Sequence, residues 1–133
     1  METIEKKIIK GGEFIIKKTN CDEVFTPEDF SDEQKMMRDA VKDFTDKEIW
    51  SKKHEFENHN YQLTADVMKK AGNLGFLGVN VPEEYGGLGM PFTSSMLVCD
   101  YISGSSGSTS TAFGAHTGIG TMPILLYGTD EQK

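Results

Sequence analysis

From residue 26 onward, apolar residues recur at intervals of three or four positions, the spacing that places side chains on one face of an α-helix. The pattern runs to about Lys53, resumes from Leu63 to Leu74, and returns from Phe92 to Ile102. It predicts amphipathic helices and an all-α fold. The apolar positions that define these helices are Met37, Ala40, Val41, Phe44, Ile49, Leu63, Val67, Ala71, Leu74, Phe92, Met96, Cys99 and Ile102.

Residues that commonly start and stop helices bound these stretches. Thr26-Pro27-Glu28-Asp29 places a capping residue before a proline, and Ser31-Asp32-Glu33-Gln34 has the spacing of a capping box. We expect Gly75 to end the second helix in the left-handed conformation. Pro91 and Gly104 are expected to open and close the third helix.

Two segments lack this regularity. Residues 1–25 pair Ile8-Ile9 with Ile15-Ile16 across Gly11-Gly12, which predicts a short hairpin or an extended arm ahead of a helical region at 26–133. The segment SGSSGSTS at 103–110 is short, and Thr111-Ala112-Phe113 follows it directly. We interpret it as an interhelical turn that ends in a cap, and not as a linker between two domains.

The stretch Ala112–Thr121 is small and weakly polar on every side, with glycines at 114, 118 and 120. Such a helix is typically buried, or something approaches its backbone closely. Further on, Thr129-Asp130-Glu131-Gln132 is another capping box, followed only by Lys133. We therefore expect a chain truncated at its C-terminal end, with an unmet apolar surface on residues 112–127.

Composition and charge exclude several classes of protein. The 133 residues carry 14 Lys+Arg against 21 Asp+Glu, a net charge of −7, so neither nucleic acid nor an anionic membrane surface is favoured as a partner. The longest apolar runs are about five residues, and a membrane span needs roughly 20. Cys21 and Cys99 form no disulfide framework or zinc motif, and METIEKKIIKGG is no signal peptide. These features predict a cytoplasmic protein without a membrane span.

The residues alone reveal no convincing catalytic, cofactor-binding or metal-binding constellation. His54 and His59 are five positions apart, a spacing that favours solvated surface over a metal site, and His116 has no nucleophile at a recognisable spacing. The glycines at 86–89 and 114–120 match neither GxGxxG nor GxxxxGK[ST]. We therefore predict no catalytic, metal-ligating or phosphate-cradling residue in this chain.

Several segments together resemble the N-terminal helical domain of the acyl-CoA dehydrogenases, an antiparallel, bundle-like all-α domain. They are SDEQKMMRDAVKDFTDKEI at 31–49, KKAGNLGFLGV at 69–79, VPEEYGGLGM at 81–90 and GAHTGIGTMPILLYGTDEQK at 114–133. The block around Gly114-Ala115-His116 and the arm containing Lys10-Gly11-Gly12-Glu13-Phe14 resemble the long-chain and very-long-chain branch more than the short-chain one.

The resemblance implies a parent flavoenzyme of fatty-acid β-oxidation. It would convert an acyl-CoA to a trans-2-enoyl-CoA, with FAD taking the hydride and a glutamate removing the α-proton. In the family both the flavin motif and that glutamate follow the equivalent of Lys133, and Glu83 and Glu84 match the loop motif only. The chain alone is therefore expected to be inactive and to bind no FAD. Implied partners of the parent are the acyl-CoA, an electron-transfer acceptor and further copies of itself.

In the family this helical domain supplies one wall of the acyl pocket. The resemblance transfers that role to residues at and around the small-residue helix and to two on the preceding helix. They are Gly114, Ala115, His116, Gly118, Ile119, Met96 and Cys99. Tight helix packing without ligand contact is the alternative at each position. For the whole chain, the alternative function is a free-standing α-helical interaction module without catalysis.

Overall fold

The computed structural model describes residues 8–133, and every regular element in this range is helical. The all-α prediction is confirmed. The chain divides into two compact units, one ending at Glu33 and one covering Gln34–Lys133. No helix within the described range has the length and apolar character needed to cross a bilayer.

Short helical turns make up the described part of the N-terminal arm. The turn at Gly11-Gly12 is present, with Gly11 at a φ of +44°, but Ile15-Ile16 lie in a helical turn and not in a strand. The hairpin alternative is therefore wrong for residues 8–25, and residues 1–7 lie outside the described range. The elements of the first unit are α1 (Glu13–Ile16) and the 3₁₀ turns Cys21–Glu23 and Pro27–Asp29.

Six α-helices, three 3₁₀ turns and one π-helical segment follow. The helices are α2 (Asp32–Glu48), α3 (Lys53–Glu57), α4 (Tyr61–Asn73), α5 (Phe92–Ser105), α6 (Gly107–Gly114) and α7 (Thr121–Tyr127). The 3₁₀ turns are Trp50–Lys52, Phe76–Gly78 and Glu83–Tyr85. The π-helical segment, here called the π-turn, is Ala115–Gly120 and joins α6 directly to α7.

Two helix boundaries follow the sequence signals and one does not. Gly75 adopts a φ of +81° after α4, and α5 begins directly after Pro91, both as predicted. The first helix was expected to reach about Lys53, but α2 ends at Glu48 and a 3₁₀ turn intervenes, in which the Lys52 N–H donates to the Ile49 carbonyl at 3.0 Å. Such i→i+3 turns commonly connect helices, and apolar periodicity does not reveal them.

The serine-rich segment at 103–110 is helical on both sides of a single extended residue, Ser106. The predicted interhelical turn is therefore much shorter than expected, and Gly104 lies inside α5. The hydroxyl of Ser105 donates to the Tyr101 carbonyl at 3.0 Å, four residues back, as does that of Thr111 to Gly107 at 2.9 Å. Hydroxyls bonded back onto the preceding helical turn in this way are found within helices, where they need no turn or cap.

The core of the second unit collects the inward faces of α2, α4, α5 and α6. Phe44 and Phe76 meet edge to face, with ring centroids 5.5 Å apart, which links α2 to the turn after α4. Ala40 and Leu74, both assigned to helix faces by the periodicity, are exposed. The core residues are Val41, Phe44, Ile49, Phe56, Val67, Ala71, Phe76, Val79, Met90, Val98, Ile102 and Phe113.

A polar link joins α2 to α4 at the edge of this core. The half-buried Glu48 carboxylate accepts hydrogen bonds from Lys70 at 2.7 Å and from Lys52 at 2.9 Å. The hydrogen bond from the Lys70 ammonium is the main cause that lowers the pKa of the Glu48 carboxyl, and the hydrogen bond from Lys52 is the second. The stabilisation from the charge pairing of Glu48 is therefore fully present above the unfolded-state pKa of a glutamate, about 4.3. It is lost as the pH falls through the lowered folded-state pKa.

We predict that Glu48→Gln lowers the free energy of unfolding at pH 7 by about 0.5–1 kcal/mol and that the difference shrinks in acid below pH 4. Asp46→Asn is the control, because Asp46 pairs only within α2, with Lys42 at 3.0 Å, and should cost less. Denaturant unfolding at a series of pH values measures both. A pH-independent loss for E48Q would contradict the assignment to charge pairing.

We also predict that Thr109→Val stabilises the protein by about 1 kcal/mol. Thr109 is 1% exposed, and its hydroxyl finds no hydrogen-bond partner among residues 8–133, a situation that costs about 1–3 kcal/mol. Thr45→Val is the matched control, since the buried Thr45 hydroxyl donates to the Lys42 carbonyl at 2.9 Å. Unfolding midpoints should rise for T109V and not for T45V; a fall for T109V would refute the prediction.

Candidate functional site

The glycine-rich stretch singled out in the sequence forms the π-turn in a helix that runs without a break from Gly107 to Tyr127. At its end the Thr121 N–H is shared between the Gly118 carbonyl and the His116 carbonyl, which is five residues back. Glycine is a poor former of α-helix, so three glycines between 114 and 120 lower the cost of leaving α-geometry. Single-turn π-helices are rare and often lie at functional sites.

One face of the π-turn is open. Ile119 is 81% exposed, and Ala115 and His116 are also exposed. A Cβ atom built on Gly114 or Gly118 would meet nothing within 4 Å beyond its own helix backbone. Packing within the described residues therefore does not explain why these positions are small, and the buried-helix alternative does not describe this segment.

The segment VPEEYGGLGM folds back on the residues just before it. Leu88 N–H donates to the Gly78 carbonyl and Met90 N–H to the Val79 carbonyl, both at 2.9 Å. At Gly87 any Cβ would collide with the Val81 carbonyl, so only glycine allows this close approach. The fold-back buries Met90 in the core and holds the Val81 end of the loop beside the π-turn.

A cleft of about 410 Å³ lies between this loop and the helix. The Lys133 Nζ lies 5.7 Å from the centroid of the Tyr85 ring at one side of it, a cation–π distance. Asn80 Nδ2 lies 3.8 Å from the Met122 sulfur and links the loop to α7. The lining residues are Val81, Tyr85, His116, Gly120, Thr121, Ile124, Leu125, Gln132 and Lys133.

Five of the predicted acyl-wall residues lie together on and beside the π-turn, and two lie apart on α5. Only His116 lines the cleft; Gly114, Ala115 and Ile119 are exposed and Gly118 is half-buried. On α5, Met96 is 45% exposed, while Cys99 is half-buried with its sulfur 3.6 Å from the Ser103 hydroxyl. Their assignment to an acyl pocket stays a prediction.

Sequence reasoning did not name the other residues of the cleft. Val81 and Tyr85 belong to the loop motif that carries part of the family resemblance. Gln132 closes the predicted capping box, and Lys133 follows it. The Thr129 N–H does bond to the Gln132 side-chain oxygen at 2.9 Å, the half of that box which brings Gln132 into place. The tertiary fold brings the loop and the C-terminal residues together beside α7, and no local sequence pattern predicts that contact.

Potential metal ligands and glycine-rich loops are the features of the described residues that bear on a metal or flavin site. No three potential metal ligands cluster anywhere in residues 8–133, and His54 and His59 are exposed. The glycines of the 86–89 loop are engaged by the fold-back, and those of the π-turn border open space without a buried polar group beside them. Neither forms the cradle of backbone N–H groups that a dinucleotide requires.

Comparison with known proteins agrees with the resemblance at the level of family. The family described as "Acyl-CoA dehydrogenase, N-terminal domain" matches residues 31–133. A Bacillus subtilis (strain 168) protein named "Probable acyl-CoA dehydrogenase" is 44% identical over 124 residues, 93% of this chain and 21% of that protein. Mitochondrial isovaleryl-CoA dehydrogenase of Solanum tuberosum is 35% identical over 105 residues, 78% of this chain and 26% of that protein.

A solved structure shares the fold. The crystal structure of an acyl-CoA dehydrogenase complexed with FAD from Bacillus anthracis superposes with a TM-score of 0.83 at 43% identity, covering 94% of this chain and 21% of that one. The chain thus spans about a fifth to a quarter of the length of these proteins. Since the family's N-terminal domain accounts for residues 31–133, this chain belongs to the acyl-CoA dehydrogenase family and carries its N-terminal helical domain.

Proposed function

We propose that this chain is the N-terminal part of an FAD-dependent acyl-CoA dehydrogenase and that the open face of its π-turn forms one wall of the acyl pocket. The whole protein would remove two hydrogens from the α and β carbons of an acyl-CoA to give a trans-2-enoyl-CoA. Residues 1–25 would be an arm and residues 26–133 the helical domain.

The exposure of the π-turn is the observation that carries this proposal. An isoleucine that is 81% exposed, next to alanine and two glycines facing open space, leaves apolar surface that burial would stabilise by about 25 cal/mol per Å². Small side chains leave room for something other than this chain to lie against the helix. An extended acyl chain has the apolar character and the thinness that such a surface accommodates.

The same face predicts a preference for long acyl chains. Ala115, Gly114 and Gly118 project almost nothing into the space beside the helix, so the pocket they border would be deep. Each additional methylene buried there contributes about 0.8 kcal/mol, close to a fourfold gain in affinity. Met96 and Cys99 on α5 would extend the wall, and His116 would border it from the cleft.

The remaining machinery would come from the rest of the protein. FAD bound by the rest of the protein would accept the hydride, since the described residues offer no dinucleotide cradle. The proton-abstracting carboxylate, the partner copies of a homo-oligomer and the site for an electron-transfer acceptor would likewise lie outside this chain. We infer a cytoplasmic location from the two cysteines without disulfide spacing.

In the full-length protein, Ala115→Leu should shorten the preferred acyl chain. The added carbons would displace two or three methylenes of a long substrate, which lowers kcat/KM for long acyl-CoAs roughly tenfold or more and leaves short ones nearly unchanged. Steady-state rates across a series of saturated acyl-CoAs measure this. The matched control is Ala65→Leu, on the exposed surface of α4, which should not alter the profile.

An unchanged chain-length profile in A115L would show that Ala115 does not border the acyl chain, and the wall assignment would have to be withdrawn. Equal losses for all chain lengths in A115L and A65L would point to a general effect on folding instead.

Flavin content separates the proposed enzyme from the free-standing interaction module. We predict that the full-length protein purifies yellow with stoichiometric flavin absorbance, while this chain alone retains none. A reading frame that stops at Lys133, together with a stable colourless protein in cells, would favour the interaction module. Stoichiometric flavin on the isolated chain would contradict the absence of a flavin site in it.

A further inference from the structure

One residue of the cleft makes two hydrogen bonds to the same carbonyl. The Thr121 backbone N–H is shared between the Gly118 carbonyl and the His116 carbonyl, and the bond to His116 has the five-residue spacing of a π-turn. The Thr121 side-chain hydroxyl donates to that same oxygen at 2.7 Å. In a regular α-helix the His116 carbonyl would instead accept the N–H of Gly120. The two bonds from Thr121 to the His116 carbonyl therefore favour the π-turn over the α-helical arrangement.

The neighbouring residues fit the same arrangement. Upstream, the Thr117 hydroxyl donates to the Phe113 carbonyl at 2.9 Å, which ties the start of the turn to a residue whose ring is in the core. A Cβ on Gly120 would lie 3.1 Å from the Ala115 oxygen, closer than most side chains tolerate, so glycine suits this tight return of the backbone.

The π-turn decides which residues face outward. An i→i+5 turn holds one residue more than an i→i+4 turn, and each residue of an α-helix advances the face by about 100°. Phe113 is buried at one end, and Met122 contacts Asn80 at the other. If the turn reverted to α-geometry between these contacts, Ala115 would rotate relative to Met122, and Ile119 would rotate relative to Phe113.

We propose that Thr121 is a positioning residue that sets chain-length specificity by holding the π-turn through its hydroxyl. This inference rests on the proposed acyl wall, because it concerns the direction in which Ala115 and Ile119 are presented. Thr121 acts through the backbone of His116, and its role needs no contact with substrate.

The test uses the full-length protein and three variants. Thr121→Val keeps the shape and the backbone N–H but loses the hydroxyl, and Thr121→Ser restores the hydroxyl. The control is Thr111→Val, which removes an equivalent hydroxyl-to-carbonyl bond of 2.9 Å from α6, outside the π-turn. The readouts are amide hydrogen exchange of residues 115–121 and the ratio of kcat/KM for long against short acyl-CoAs.

We expect T121V to speed exchange of these amides roughly two- to tenfold, the range that loss of one hydrogen bond produces, and to change the long-to-short ratio at least threefold. T121S should match the wild type in both readouts, and T111V should leave residues 115–121 and the ratio unchanged. If T121V does not fold, Thr121→Ala carries the same expectation. Failure of both to fold, while T111V folds, would overturn the specificity role in favour of a structural one.

Failure of this inference is distinguishable from failure of the acyl wall. If A115L shifts the chain-length profile but T121V changes neither readout, Thr121 has no positioning role and the wall stands. If T121V speeds exchange but neither variant alters the profile, the acyl wall itself is wrong, and the specificity role of Thr121 is overturned with it. A change in T121V that T121S does not rescue would also overturn the role of the hydroxyl.

Discussion

The burial of Phe113 is the constraint on which the arrangement of the second unit depends. Phe113 is 2% exposed and is the last side chain of the long helix that belongs to the core, and its helix α6 packs against α3, α4 and α5. Beyond it the same helix continues through the π-turn and α7 with much of its apolar surface open. One continuous helix therefore has a half that stabilises this unit and a half that is free to meet something else.

The loop at 81–90 gives the free half of the helix a defined neighbour. Its fold-back depends on Gly87 lying against the Val81 carbonyl, where no Cβ fits, and on ladder-like backbone hydrogen bonds to residues 78–81. Those bonds bring Val81 and Tyr85 to the helix and leave a cleft between them. The most recognisable motif of the sequence is therefore explained by backbone packing. Its two glutamates lie exposed in a 3₁₀ turn, where the Glu83 carbonyl accepts the Gly86 N–H at 2.9 Å.

Small residues have two different physical explanations in this chain. At Gly87 the reason is internal, because the fold itself leaves no room for a side chain. At Gly114 and Gly118 a Cβ would meet nothing within 4 Å, so the packing of the described residues supplies no such reason. The relatives are about three to four and a half times as long as this chain, which provides for an approach from outside it. This contrast supports the assignment of the π-turn, and not of the loop, to ligand contact.

Much of the helical architecture could be predicted because its signals are local. The apolar faces of α2 and α4, the left-handed Gly75 and the start of α5 after Pro91 each follow from residues within one or two turns of each other. The serine-rich segment was misjudged because serine favours turns by intrinsic preference, whereas here hydroxyls at Ser105 and Thr111 bond back along their own helices. The arm was misjudged because Gly-Gly permits a tight turn without dictating strands beside it.

The sequence by itself determined the helical class, the family and the expectation that something approaches residues 112–121, since periodicity, motif spacing and side-chain size are properties of short segments. The tertiary structure alone decided that this stretch adopts π-geometry, that its small face points away from the core, and that residues as distant as Tyr85 and Lys133 share a cleft with His116. The physical reason is that helix rotation and loop placement depend on where Phe113 and Met90 are buried. Burial is a property of the whole unit and not of any one segment.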